Sequence, residues 1–311
     1  MQIDPGLHDM KIKRAVPLVL LAVIWGCYYV ATQQSVAKMS VFSVGVVVRF
    51  ITMVLLLILM VSKKEVSSLL KVNKTWPRLL LIGVLGYSLD LTAFLGLSYA
   101  SAGIGTAILK CDIIFINLLS VIFYKERFTK KDWTFSLLML FGVFLIMDID
   151  FGTLELANNG NIFFVLSALF VSINAFVIKS VQTDKENPVQ DNVVAFYNNF
   201  ITMILFLIST VVMGTTGQIA GIGSDRGLLL ALSCAGIGQT LVYVVYYYNL
   251  RNNPVWIVKV FLLLMPIVSM LVSLLLFGTT IKAIQCTGVS IVLLGALGIL
   301  LEQKKKTAEN S

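Results

Sequence analysis

The chain has 311 residues, of which 58% are hydrophobic and 13% charged, and its mean hydropathy is +0.91. Soluble domains carry about 25% charged residues, so this composition excludes a soluble globular protein and leaves little chain for a soluble domain. The net charge of +8 sits mostly between apolar stretches, where it serves topology and attraction to anionic headgroups, and no nucleic-acid partner is needed to explain it.

In chain order, ten apolar stretches cover roughly 15–36, 41–62, 77–99, 102–124, 133–149, 160–180, 193–213, 227–249, 254–277 and 281–301. Each approaches the ~20 residues with which a helix crosses the hydrocarbon core. Helices are expected because backbone groups in lipid must satisfy one another within a span or a closed barrel. The first stretch follows Lys11, Lys13 and Arg14, as the apolar run of a signal peptide would. It exceeds the roughly 7–15 residues of such a run and no Ala-x-Ala site follows it, so it is expected to be retained.

Residues 1–14 form a polar tail with the sole histidine, His8. Residues 302–311, beginning Glu302-Gln303-Lys304-Lys305-Lys306, form a second tail, expected to be disordered. Ala100-Ser101 and Gly278-Thr279-Thr280 are read as tight hairpins. Cys27, Cys111, Cys234 and Cys286 lie in separate spans without a Cys-x-x-Cys spacing, which points away from disulfides and zinc.

The basic residues crowd into alternate connections. Lys11, Lys13 and Arg14, then Lys63, Lys64, Lys71, Lys74 and Arg78, then Lys125, Arg127, Lys130 and Lys131 fall on one side. Lys179, Lys185, Arg251 and Lys304 to Lys306 continue on that same side. The intervening connections hold only Lys38, Arg226 and Lys282, and the one around Asp148, Asp150 and Glu155 is acidic. By the positive-inside rule the rich side is cytoplasmic, with both termini there, in the cytoplasmic membrane.

Sliding the two halves past each other aligns Ile114 with Ile267, Leu118 with Leu271, Ser120 with Ser273, Leu140 with Leu293, Gly142 with Gly295 and Ile146 with Ile299. Five spans per half is an odd number, so the second copy enters the membrane from the opposite side. The connection Lys125-Glu126-Arg127-Phe128-Thr129-Lys130-Lys131 has the counterpart Gly278-Thr279-Thr280-Ile281-Lys282-Ala283-Ile284, which has lost basic residues where it faces outward. The expected fold is therefore all-α and integral to the membrane, ten transmembrane helices in two inverted five-helix repeats, 15–149 and 160–301. Such repeats place a binding site near the midplane, with access alternating as the halves rock.

Trp25-Gly26 in the first span, Ser120 to Phe128 closing the fourth, and the spacing from Pro266 to Thr279 resemble the drug/metabolite transporter superfamily, specifically its EamA-type members, across essentially the whole chain. Ile113 stands where that pattern has a proline in the first copy, and Thr279 where it has an acid in the second. The resemblance implies ten helices in inverted repeats, a central cavity and secondary transport of a small organic solute.

Arg49, Asp90, Lys110, Asp112 and Lys259 lie within spans; each is expensive in hydrocarbon and so faces a cavity or a partner. On one continuous helix, Thr106, Lys110 and Asn117 share a polar stripe, whereas Asp112 is about 200° around from Lys110. Asp112 is read as lining the path or as half of an interhelical ion pair, with Lys259 the other paired charge. Asp90 shares a stripe with Gly83, Gly86, Tyr87 and Phe94 and is read as pairing with a cation, Lys110 or Arg49, or as capping or bonding a neighbouring backbone. Arg49 and Lys259 are nearer the membrane faces, where they contact the solute or snorkel.

Gln239 and Tyr243 share a face of the eighth span. Tyr246, Tyr247, Tyr248 and Asn249 read as an interfacial belt, and Trp25, Tyr28 and Tyr29 as packing or cavity wall. Gly288, Gly295 and Gly298 suit helix packing, within the fold or between protomers.

The substrate-binding set is thus Lys110, Asp90, Arg49, Gln239, Tyr243, Thr106 and Asn117. No metal ligand set, cofactor motif or Walker motif is present in the sequence, and the pattern reads as a transporter rather than an enzyme. The expected partners are a small-molecule substrate, the bilayer and a coupling proton or counter-solute. With three cations against two carboxylates in the spans, an anionic or zwitterionic solute, such as an amino acid, is favoured. The alternatives are a lipid-linked flippase, and from other classes a non-transporting sensor or an intramembrane enzyme.

The charge pattern makes a topological prediction. With the native cysteines replaced, Lys38→Cys is labelled in intact cells by a membrane-impermeant maleimide, and Lys71→Cys only after permeabilisation. The reverse order would invert the orientation.

Overall fold

In a computed structural model of the chain, residues 5–72, 74–99, 108–124, 129–148 and 159–309 are described, and they are helices joined by short connections, with no strand among them. The helices are α1 (Pro5–Val36), α2 (Val41–Ser62), α3 (Trp76–Tyr99), α4 (Asp112–Tyr124), α5 (Lys130–Ile146) and α6 (Asn159–Gln182). They continue as α7 (Asp191–Val212), α8 (Arg226–Asn252), α9 (Val255–Leu262), α10 (Met265–Phe277) and α11 (Ala283–Glu309). Short 3-10 turns cover Val66–Lys71 and Ile222–Ser224.

Among the described residues, 7 stretches are long and apolar enough to cross a membrane: Ala15–Val36, Val41–Ser62, Asn161–Gln182, Asp191–Val212, Arg226–Asn252, Val255–Phe277 and Ala283–Glu302. The chain is a multi-pass membrane protein. Its outward surface carries Val61, Ile122, Phe123, Leu230, Leu275 and Leu294, all exposed, while Asn198, Asn199, Gln182, Asn249 and Lys259 are buried. In lipid that distribution is the stable one, because close packing and polar bonds hold transmembrane helices together.

Several expectations are corrected. The first span is Ala15–Val36, as expected, but its helix already starts at Pro5, within the segment read as a polar tail. The last does not stop at Leu301 but continues to Glu309, so the C-terminal tail is helical; its Glu302 lies 3.3 Å from Lys131. The ninth stretch is not one helix, because α9 ends at Leu262 and α10 begins at Met265. Tyr246, Tyr247 and Asn249 are not an interfacial belt. They are buried in the core, where Asn249 donates to the carbonyl of Pro17 at 3.0 Å and Gln182 donates to that of Tyr247 at 2.9 Å. The Ala100-Ser101 hairpin lies outside the described residues. The Gly278 turn is present, closing α10 with a left-handed φ of 63°, a conformation that glycine adopts without steric cost.

Packing follows a regular scheme. α1 lies against α8 and α3 against α6; α2 lies against α7 and α8, and α3 also against α7; α4 meets α6 and α9; α5 pairs with α11. Glycines set the closest approaches. Gly288 and Gly295 of α11, facing Gly142 and Met139 of α5, serve packing within the fold. Gly83 of α3 receives Ile201 of α7, and Gly236 of α8 receives Ile51 of α2. The hydroxyls beside those isoleucines bond the same glycine backbones, Thr202 donating to Gly83 at 3.1 Å and Thr52 to Gly236 at 3.3 Å.

The two ends of the bundle differ. At the end bearing Val66–Lys71, a large apolar core draws on Leu18, Leu21, Leu56, Met60, Leu79 and Leu250. Polar bonds tie it off. Arg251 reaches Asp191 at 2.6 Å, Asn192 donates to Glu65 at 2.6 Å, and Arg78 pairs with Asp184 at 2.6 Å. The backbone N–H of Asn187, then Arg78 and the N–H of Glu186, hold the Asp184 carboxyl down at about 2. At the other end, bearing the turn at 37–40, the buried cluster is smaller and Lys38 pairs with Asp225 at 2.8 Å. That end holds the cavity.

The glycine seats give a stability prediction. A Cβ on Gly236 would stand 2.6 Å from Ile51 Cβ, so Gly236→Val forces overpacking worth about 1–3 kcal/mol, more than the roughly 1 kcal/mol that leaving glycine gains in a helix. Its thermal midpoint in detergent falls, and Ile51→Ala on the same chain restores part of it. An unchanged midpoint for the single variant would remove the close-approach account.

Candidate functional site

A cavity of about 230 Å³ opens between α1, α2, α3, α6, α7 and the breaks in the fourth and ninth stretches. Its walls are mostly apolar or aromatic: Tyr28 and Tyr29 from α1, Val44 and Val48 from α2, Leu89 and Ala93 from α3, Phe164 from α6 and Phe206 from α7. Trp25, Arg49, Asp90, Lys110, Asp112, Lys259 and Met265 complete the lining. All five intramembrane charges therefore meet at one cavity.

Arg49 is the hub of the first charge group. Only 8% exposed, it donates from one terminal nitrogen to Asp90 Oδ2 at 2.8 Å and from the other to the Tyr243 hydroxyl. Its guanidinium also stands 5.4 Å from the Tyr243 ring centre, within cation–π range. Asn199 fixes the backbone beneath it, donating to the Arg49 carbonyl at 2.7 Å. Of the two partners open to Asp90 in the sequence, the structure places Arg49 against it, and Arg49 does not snorkel.

The second group joins Lys259 of α9 to Asp112 of α4, Nζ to Oδ2 at 2.9 Å. The ammonium stands 5.8 Å from the Tyr246 ring centre, and Lys259 is 3% exposed, so it too stays inside. Lys110 is different. Its ammonium approaches the Met265 thioether at 3.8 Å, and among the described residues no carboxylate lies within ion-pair distance.

Two helix breaks make this arrangement. At Lys110-Cys111 the backbone turns, with bonds from Cys111 to Ile108 at 2.9 Å and from Ile114 to Cys111 at 2.9 Å, before α4 starts at Asp112. At Leu263-Leu264 the same thing happens between α9 and α10, Leu263 bonding to Val260 at 3.0 Å and Leu264 to Phe261 at 3.1 Å. Pro266, lacking an N–H, sits in the first turn of α10, where that loss is harmless.

The break at 110–111 corrects the helical-wheel expectation. Lys110 is not on the same regular helix as Asn117, and Asp112 does share the cavity wall with Lys110, because the turn resets the register between them. Asn117 is buried at 1% exposure and is not in the cavity lining. Gln239 is buried on α8 and likewise outside the lining, whereas Tyr243 reaches the site through Arg49. Thr106 lies outside the described residues.

Other contributors were left out of the expected set. Trp25, Tyr28, Tyr29, Phe164, Ser167 and Phe206 line the cavity, and Asn199 supports Arg49. A signal for Asn199 exists in the sequence: Phe50-Ile51-Thr52-Met53 recurs as Phe200-Ile201-Thr202-Met203, which sets Arg49 opposite Asn199 at the start of each copy. Trp25, Tyr28 and Tyr29 are open in the sequence to packing or cavity wall alike, and Phe164 and Phe206 have no signal at all, because an apolar aromatic in a span reads equally as lipid-facing.

Comparison with known proteins adds a family. The model of the EamA-like transporter family matches twice, over residues 13–148 and 158–301. A relative from Archaeoglobus fulgidus, described as an uncharacterized transporter, is 25% identical over 285 residues, 91% of this chain and 97% of that protein. One from Salmonella typhimurium, described as a probable amino-acid metabolite efflux pump, is 21% identical over 229 residues, 70% of this chain and 76% of that protein. A solved crystal structure superposes with a TM-score of 0.78 at 16% identity, over 93% of this chain and 96% of that one, a likeness of fold.

The hub predicts non-additive mutations. Removing one partner of a buried pair costs about 3–5 kcal/mol because the other charge is left uncompensated. Asp90→Leu alone is expected to lower the thermal midpoint more than Asp90→Leu with Arg49→Met. Simple additivity in the double-mutant cycle would mean that the two residues are not coupled.

Proposed function

The chain belongs to the EamA-like transporter family and is a membrane transporter, and on that premise we propose that it is a secondary transporter moving a small organic metabolite across the cytoplasmic membrane by alternating access. The observation that carries this reading is the cavity itself. It reaches from the end bearing the 37–40 turn down to Arg49, Lys110 and Lys259, and beyond them the bundle is filled by apolar core and tied by ion pairs. A site open to one side and closed to the other is what alternating access requires.

Several features support ten spans arranged as two inverted repeats, 15–149 and 160–301. The family model matches two successive segments. Helix pairs come in related sets, α1 with α8 and α6 with α3. The seats of Gly83 on Ile201 and Gly236 on Ile51 exchange when the two copies are exchanged. The breaks at 110–111 and 263–264 fall at matching points of the fourth and ninth stretches. With basic connections inside, both termini are cytoplasmic and the cavity faces outward.

The solute carries a carboxylate or another anionic group, a class that spans amino acids and simpler organic anions, in keeping with the surplus of cations at the site and with the description of the Salmonella relative. Coupling is to protons, to a counter-solute or to the solute's own gradient.

Flux tests this reading. Purified protein in proteoliposomes is expected to take up labelled metabolites from a mixed pool, with and without a pH gradient, and Lys110→Met to lose most of that uptake while remaining folded. Absence of flux for every solute under every gradient would end the transport reading.

A further inference from the structure

The charges at the base of the cavity divide unequally. Arg49 and Asp90 stand 2.8 Å apart, and Lys259 and Asp112 2.9 Å, so each carboxylate already holds a cation. Lys110 is left over, facing the cavity with only the Met265 thioether, at 3.8 Å, beside its ammonium among the described residues. Residues 100–107, which precede it, contain no ionisable side chain. With these groups charged, the base of the cavity carries one surplus positive charge, and a net charge held away from water is costly until a counter-charge joins it.

Resting on the transport reading above, we infer that the solute of this cavity is an amphipathic monocarboxylate without an ammonium group, its carboxylate on Lys110 and its apolar or aromatic body against Val44, Val48, Phe164 and Phe206. A monoanion brings the site to neutrality. A zwitterionic α-amino acid leaves the surplus charge in place and adds an ammonium, for which the cavity's carboxylates, Asp90 and Asp112, are already held by Arg49 and Lys259. A cation adds to the surplus. The wall above Lys110 suits a body that needs no hydrogen bonds: the Ser167 hydroxyl donates to the Leu89 carbonyl at 2.6 Å and the Thr32 hydroxyl to that of Tyr28 at 2.9 Å. What faces the solute there is chiefly hydrocarbon and ring. The cavity, about 230 Å³, lies below the ~300–1,000 Å³ of drug-sized sites, which limits the body to one ring or a short branched chain.

Three probes share one skeleton and differ only in charge: 3-phenylpropanoate, phenylalanine and phenethylamine. Binding of each to the purified full-length protein is measured by calorimetry and by the shift in thermal midpoint. The anion is expected to bind at least tenfold more tightly than phenylalanine, with no binding of the amine. Lys110→Met should abolish anion binding, and Lys110→Arg should retain it. Discrimination among the probes is read on the unaltered chain, so it stands even if a Lys110 variant fails to fold.

Phenylalanine binding as tightly as the anion, a preference for the amine, no binding of any probe, or undiminished anion binding by folded Lys110→Met would each overturn the inference. Proteoliposome flux of other solutes in any of those cases would leave the transport reading standing. Selective anion binding without any flux would instead retain the site and remove transport.

Discussion

A charge inside the hydrocarbon region must find a partner or a wet cavity, and this chain carries five such charges where a transmembrane bundle has use for none. The structure meets that constraint by bringing all five to one place. Arg49 pairs with Asp90 and Lys259 with Asp112, while Lys110 opens onto the cavity. The surrounding helices are arranged accordingly. The long Arg49 side chain bridges from α2 to Asp90 on α3, α8 presents Tyr243 to the same guanidinium, and the fourth and ninth stretches lie side by side, so that Lys259 reaches Asp112.

The helix breaks follow from the same constraint. A continuous helix through residues 108–124 would turn Lys110 and Asp112 to nearly opposite faces. Interrupting it at Lys110-Cys111 lets one side chain point into the cavity while the other meets Lys259 beside it. Freed backbone groups are tolerated at membrane depth where they border a cavity or lie buried in protein. The breaks and the charges are thus two sides of one arrangement, since the geometry that places the ammonium needs unwound backbone, and unwound backbone needs the cavity.

This explains which parts were legible beforehand. The helices, their order and the family could be read from apolar length, alternating basic connections and a few motif residues, because those signals are local or additive along the chain. Asp90 was legible as needing a cation, but the choice between Lys110 and Arg49 depends on which helices neighbour α3, a tertiary fact. The Lys110 and Asp112 placement was misread because the wheel assumes unbroken helix, and in the first copy Ile113 stands where Pro266 marks the break in the second. Gln239 was drawn into the expected site by sharing a face with Tyr243, yet only the tyrosine, with its longer reach, meets Arg49. The helical ends at Pro5 and Glu309 escaped notice because polar, basic sequence propagates an existing helix without any apolar periodicity to announce it.

The two segments that the family model matches are unlike in charge. Arg49 stands where the second copy has Asn199, in the phrase Phe-Ile-Thr-Met that follows both, and the asparagine donates to the arginine's own carbonyl at 2.7 Å. Gly83 and Asp90 on α3 have the same spacing as Gly236 and Tyr243 on α8, so the arginine touches corresponding positions of both halves. On the proposed rocking motion these contacts have different fates. Arg49 and Asp90 belong to one half and travel together, so that pair keeps its neutrality through the cycle. Arg49 with Tyr243, and Lys259 with Asp112, join opposite halves and lie across the path of any relative movement. A neutral tyrosine can be released from a guanidinium at modest cost, but separating Lys259 from Asp112 exposes two buried charges at once. The ammonium left free by that step lies beside the same cavity as Lys110, and a bound anion is the group best suited to receive it. On that motion, substrate charge and conformational change would be coupled through the ninth stretch, where the break at Leu263-Leu264 separates α9 from α10.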